Sequence, residues 1–184
     1  MSNANSLLWL RALEFAAEKH RNQRCKDVDA SPYINRPIAV ASVLGIEAGV
    51  TDETTLLAAL LHDTVEDTDT TLQELEQRFG REVAALVDEM SDDKSLPKEM
   101  RKELQVEHAP RASPNAKRLK IADKICDIRD VAENPPTSWS LDRRRQYVDW
   151  AERVVAGSRG TDALLETLFD RVMQDARIRL GVDA

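Results

Sequence analysis

The run His62-Asp63-Thr64-Val65-Glu66-Asp67 sets an imidazole and three carboxylates directly after the apolar run Leu56 to Leu61. On a helix, His62 and Glu66 are one turn apart, and so are Asp63 and Asp67, which stacks two polar pairs on adjacent stripes. Charge at the wall of a helical core needs a partner, because an unpaired carboxylate beside packed leucines is costly or takes up a proton. A divalent cation is the natural partner; the competing reading is a polar helix end facing water. Such an ion wants four to six donors and recruits some from other segments. Asp123 is the best-placed distant acid, since it follows Leu119, Ile121 and Ala122 at the edge of an apolar stripe, and Asp127 lies one turn further on. Both acids could instead pair with Lys120, Lys124 or Arg129 on a solvated face.

The elements that must position these groups read as helices. Leu7 to Lys19 places Leu10, Leu13 and Ala17 on one stripe, with Arg11, Glu14 and Glu18 facing away. A polar loop from Asn22 to Pro32 precedes a second helix that has Pro37 in its first turn and ends at Gly49. Asp52 caps the helix carrying His62 and Asp63. Thr70 with Gln73 reads as a capping box for the next helix, and Gly80 divides that helix from Glu82 to Met90. Pro97 starts a helix running to His108, Ala109 to Asn115 is loop, and Arg118 to Val131 is strongly periodic until Pro135 and Pro136. Two more helices fit Leu141 to Ala156 and Thr161 to about Leu180. No alternating β-branched run is long enough for a central strand. The expected fold is all-α, a single domain over residues 1–184 built as a bundle of roughly eight helices.

The net charge of −7 argues against nucleic-acid and acidic-membrane partners, which are held by excess Lys and Arg. A small phosphorylated ligand needs only a local basic pocket, and basic clusters occur at Lys19 to Lys26 and Arg143 to Arg145. Cys25 and Cys126 make no disulfide framework, no leader opens the chain, and the longest apolar run is far below spanning length, so a cytoplasmic setting is expected. Oligomeric state is not legible.

Several segments, in order, resemble the HD-domain alarmone hydrolases: the small ppGpp hydrolases similar to the metazoan SpoT homologue, and the hydrolase domain of RelA/SpoT proteins. They are Ala16 to Arg21, Pro32 to Asn35, Leu57 to Thr68, Asp92 to Lys98 and Ile121 to Lys124. The resemblance implies Mn²⁺-dependent removal of the 3′-diphosphate of ppGpp or pppGpp, giving GDP or GTP and pyrophosphate. It implies that His62, Asp63 and Asp123 ligate the metal and that Glu66 and Asp67 position and deprotonate the attacking water. Lys26, Arg143 and Tyr147 match positions that hold phosphates or flank the nucleotide.

The chain departs from that pattern at Arg36, where the family has a metal-ligating His in Tyr-Ile-Asn-His-Pro. A guanidinium has no lone pair to offer. Either the ion is held by fewer protein ligands, or Arg36 points away, or its charge takes the cation's place and contacts substrate. Cys25 stands where an Arg is usual, Cys126 where a Tyr is common, and Asp127 where a guanosine-pocket Asn is expected. An ionised Asp127 cannot donate a hydrogen bond and repels phosphate. Two other outcomes follow: a shifted substrate, such as ppApp or the 2′-phosphate of NADPH, or a degenerate nucleotide-binding module.

Overall fold

The computed structural model describes residues 3–182. Among the described residues the regular structure is nine α-helices: α1 (Asn3–Lys19), α2 (Asn35–Ser42), α3 (Glu53–Asp67), α4 (Leu72–Phe79), α5 (Arg81–Met90), α6 (Lys98–His108), α7 (Pro114–Glu133), α8 (Leu141–Ala156) and α9 (Ala163–Arg179). A π turn, Val43–Glu47, extends α2, and a 3₁₀ turn, Ala109–Arg111, follows α6. The contacts divide the chain into two compact units, one of residues up to Arg24 with Pro32–Lys94, the other of Cys25–Ser31 with the chain from Ser95 onward.

In the first unit α3 is central, packed by α1, α2 and α5, while α4 packs on α5. Leu56 to Leu61 are buried without interruption, as a helix enclosed on several sides requires. Its start is set by Asp52, whose Oδ2 accepts the Thr55 N–H at 2.8 Å. The apolar stripe of α1 is rotated from the sequence expectation. Ala12, Phe15 and Ala16 are buried, whereas Leu10 is 62% exposed and Ala17 is exposed. The large area of Phe15, edge-on to Phe79, outweighs the smaller gain from Leu10.

The N-cap of α4 is Thr71, accepting the Glu74 N–H at 3.1 Å, one residue later than the Thr70 expected. Thr70 is buried, with its hydroxyl 2.8 Å from that of Thr68. Starting at Thr71 puts Leu75 and Phe79 into the core one turn apart. Gly80 joins α4 to α5 at φ +92°, a conformation that suits glycine.

In the second unit α7 packs on α8 and α9, and α6 packs on α8. Leu119, Ile121, Ala122, Ile125, Ile128 and Val131 are all buried, as their periodicity implied. The expected 109–115 loop is shorter than read: Ser113 caps α7 through the Ala116 N–H, and Pro114 occupies its first turn. Gly157 lets the 3₁₀ turn approach, since a Cβ there would lie 2.8 Å from Pro110 Cδ.

Candidate active site

The polar end of α3 is organised by contacts on each acidic group. His62 is 4% exposed, and its Nδ1 donates to the Ala59 carbonyl at 2.8 Å, which makes Nε2 the ring nitrogen that could coordinate a metal. Nε2 lies 3.2 Å from Asp63 Oδ1. Two donors each about 2.1 Å from a shared divalent ion lie roughly 3.0–3.4 Å apart, so the doublet fits as two neighbouring ligands, one nitrogen and one hard oxygen. Without an ion or a proton between them, two lone pairs at this distance repel.

The Tyr33 hydroxyl donates to Asp63 Oδ2 at 2.7 Å and lies 3.4 Å from Asp67 Oδ2. Burial, then the Asp63 charge, holds this phenol far above its ordinary range, while the Arg36 charge acts in the opposite sense. The charge at position 36 is thus felt at the Tyr33 hydroxyl. Glu66 Oε2 accepts the Asp92 N–H at 3.0 Å, and the Lys94 ammonium lies 3.3 Å from Glu66 Oε1 and donates to Asp67 Oδ1. Burial pushes the Glu66 carboxyl above the usual range, against the lowering effect of the Asp92 N–H and Lys94. A carboxylate raised in this way is a better proton acceptor than a free glutamate.

The second unit holds the other sequence candidates. Asp123 is 8% exposed on α7, and the buried Lys124 ammonium donates to Asp123 Oδ2 and to Asp127 Oδ2, each at 3.0 Å. The acids therefore do pair with Lys124, but in a buried setting. Burial alone would lower Lys124; Asp123 and Asp127 outweigh it and hold the ammonium well above its ordinary value, charged at neutral pH. Lys124 also lies 4.7 Å from the Trp150 ring centroid, a cation–π contact. Tyr147 packs between Trp139 and Trp150 at 5.3 and 5.1 Å. Arg143, exposed, lies 4.4 Å over Trp139. Its neighbours Arg144 and Arg145 are committed to the Val131, Ala132 and Leu180 carbonyls, so that basic run is largely helix capping. Lys26 is exposed on the loop closed by the Cys25 N–H to Ser31 carbonyl bond.

Thus His62, Asp63, Glu66 and Asp67 are gathered at the end of α3 with Tyr33 and the Arg36 charge, and Asp123, Asp127, Arg143 and Tyr147 belong to the other unit with Lys26. Among the described residues no three His, Cys, Asp or Glu side chains stand together as a ready metal cage. Sequence reasoning named Lys124 among three possible partners of Asp123 and Asp127 but missed Tyr33 and Lys94 as partners of the acids. Only the charge complementarity of Lys124 with its i−1 and i+3 neighbours offered a local signal.

An all-helical fold ending a buried helix in a His-Asp doublet is the arrangement of a metal-dependent phosphohydrolase class. Residues 12–152 match the HD domain, and the chain belongs to the HD-domain family. Within it, the likeness is to the guanosine-3′,5′-bis(diphosphate) 3′-pyrophosphohydrolases MESH1. The Mus musculus protein is 52% identical over 171 residues, spanning 93% of this chain and 96% of its own. The Homo sapiens protein is 56% identical over 157 residues, spanning 85% and 88%. A solved structure of a metazoan SpoT orthologue, described as hydrolysing ppGpp, superposes with a TM-score of 0.88 at 48% identity, covering 91% of this chain and 94% of that one. Divalent-metal dependence goes with the HD hydrolases. Among the described residues no helix is long and apolar enough to cross a membrane.

Proposed function

We propose that the protein is a cytoplasmic, Mn²⁺-dependent hydrolase, one HD-type domain over residues 1–184, that converts ppGpp or pppGpp to GDP or GTP and pyrophosphate. The observation that carries this reading is the His62-Asp63 doublet, with Glu66 and Asp67 one turn beyond, in a chain alike to MESH1 proteins over nearly its whole length. His62, Asp63 and Asp123 would hold the ion, which when bound lowers the pKa of water and neutralises phosphate charge. Glu66 takes the water's proton, and Asp67 orients the water. The oxygen adds to the phosphorus carried on the 3′-oxygen, the O3′–P bond breaks, and a proton ends on the 3′-oxygen. The Lys94 ammonium lies against both Glu66 and Asp67 and balances their charge. Lys26, Arg36, Arg143 and Tyr147 are assigned to phosphates and nucleotide. Phosphate and pyrophosphate release from ppGpp, pppGpp, ppApp and NADPH with Mn²⁺ tests the reading. Turnover of none of them favours the degenerate binding module.

A shifted substrate is favoured by one observation, the Asp127 carboxylate tied to Lys124 where a neutral amide was expected. Asp127→Asn removes one negative charge from the patch. It is expected to lower the KM for ppGpp about three- to tenfold with little change in kcat, the size of one relieved charge repulsion at moderate distance. Steady-state kinetics on ppGpp and ppApp measure it, and an unchanged KM for both removes residue 127 from the substrate pocket.

Arg36→His supplies an imidazole lone pair and removes a fixed charge that acts on Tyr33. Mn²⁺ affinity is expected to rise about tenfold or more, as from one added ligand. If Arg36 clamps a phosphate, KM rises in the same variant because a guanidinium contact is lost. Calorimetry beside kinetics separates the effects, and unchanged Mn²⁺ binding places residue 36 away from the ion.

A further inference from the structure

We propose that Tyr33 is a positioning residue for the Asp63 carboxylate, held in place by a buttress of buried His20 and half-buried Gln23. The inference rests on the metal reading of His62 and Asp63 given above. The Tyr33 hydroxyl donates to Asp63 Oδ2 at 2.7 Å, while Asp63 Oδ1 is the oxygen that lies 3.2 Å from His62 Nε2. One oxygen is thus occupied by a donor, and the other is the one beside the imidazole Nε2. An aspartate turns about two torsions, and a fixed donor on Oδ2 removes most of that freedom. The Ala59 carbonyl does the same for His62, so each half of the doublet is held by a second contact of its own.

Tyr33 is itself located by its neighbours. Its ring lies against that of His20, with centroids 5.0 Å apart. His20 is 2% exposed and donates from Nδ1 to Gln23 Oε1 at 2.7 Å. That contact orients the amide, whose Nε2 donates to the Asp67 carbonyl, also at 2.7 Å. Asp67 ends α3, where the final carbonyls have no partner inside the helix, so Gln23 caps the helix that carries the acids. The Tyr33 N–H donates to the Gln23 carbonyl at 3.2 Å and joins the two segments. All of these residues belong to the unit of α3. Simple packing does not account for the hydroxyl: a phenylalanine would cover His20 equally well, whereas the hydroxyl's contacts are two carboxylates of the site.

Tyr33→Phe removes the donor and keeps the ring. Mn²⁺ is titrated calorimetrically into parent and variant, each is melted without metal, and ppGpp kinetics are run at saturating Mn²⁺. The expected result is Mn²⁺ binding weaker by about tenfold to a hundredfold, the effect typical of an outer partner of a ligand. With it should come a lower kcat at a KM within about twofold of the parent, and a melting temperature within a few degrees. Equal Mn²⁺ affinity in the two proteins overturns the positioning role and leaves the metal reading standing. A melting temperature that collapses with the affinity assigns Tyr33 to the fold and overturns it as well. A parent that binds no Mn²⁺ overturns the metal reading and this inference together. A parent that binds Mn²⁺ but spares ppGpp overturns the substrate alone, and the calorimetry still decides the role of Tyr33.

Discussion

Replacing Asp63 by alanine is expected to abolish Mn²⁺ binding and reduce ppGpp hydrolysis to background while the helices remain. Asp63 contributes one of the two donors that stand 3.2 Å apart. The cost to the fold is small by comparison. The variant gives up the hydrogen bond from Tyr33, worth about 1 kcal/mol, which in a chain of this size moves the melting temperature by about 2–4 °C. Asp123→Ala should lose metal as well but cost more stability, since the buried Lys124 ammonium then keeps only one of its two carboxylates. Circular dichroism and Mn²⁺ titration of each variant distinguish the two losses. Parental hydrolysis by either would remove that residue from the metal site.

Glu66→Gln should retain Mn²⁺ and nucleotide affinity yet slow the chemical step by about two to four orders of magnitude, the usual contribution of a placed proton acceptor. The amide reproduces the shape and can still accept the Asp92 N–H, but it cannot take a proton. A pH signature accompanies the rate. Burial holds the Glu66 carboxyl above its ordinary value, so parental turnover should fall on acidification at a pH above that of a free glutamate, as the base is protonated. The variant should lack this limb. Loss of bound Mn²⁺ in the glutamine variant would make Glu66 a ligand instead.

The parts of the fold that could be read from sequence were those with a local cause. Asp52 caps α3 because its oxygen reaches an N–H three residues away, and α8 runs over the Leu141 to Ala156 expected, with Gly157 after it. The α1 stripe was misread because Leu10 and Phe15 compete for one core, and only the position of Phe79 decides between them. Thr70 and Thr71 offer nearly equivalent caps, and the choice depends on where Leu75 and Phe79 must point. The same division runs through the site. His62, Asp63, Glu66 and Asp67 are conspicuous because their types are unusual after a run of leucines. Tyr33 and Lys94 lie about thirty residues to either side and read as packing and surface charge until the fold brings them to those acids. The pairing of Lys124 with both Asp123 and Asp127 had been one alternative among three cations, and its burial gave no sign in the sequence.

The placement of the acids on α3 has an electrostatic consequence. Aligned peptide dipoles give a helix a partial negative charge at its C-terminal end, where cations are favoured and carboxylates are not. The last two turns of α3 carry Asp63, Glu66 and Asp67, with no basic residue in the final turn. The helix is thus charged against its own dipole, and the strain is eased by Lys94 and by the Gln23 donor on the Asp67 carbonyl. A divalent cation held there would do more than chemistry: it would supply the positive terminus that the sequence withholds. An ion held there would stabilise the folded chain by mass action as well as serve hydrolysis, so added metal would raise the melting temperature along with the rate.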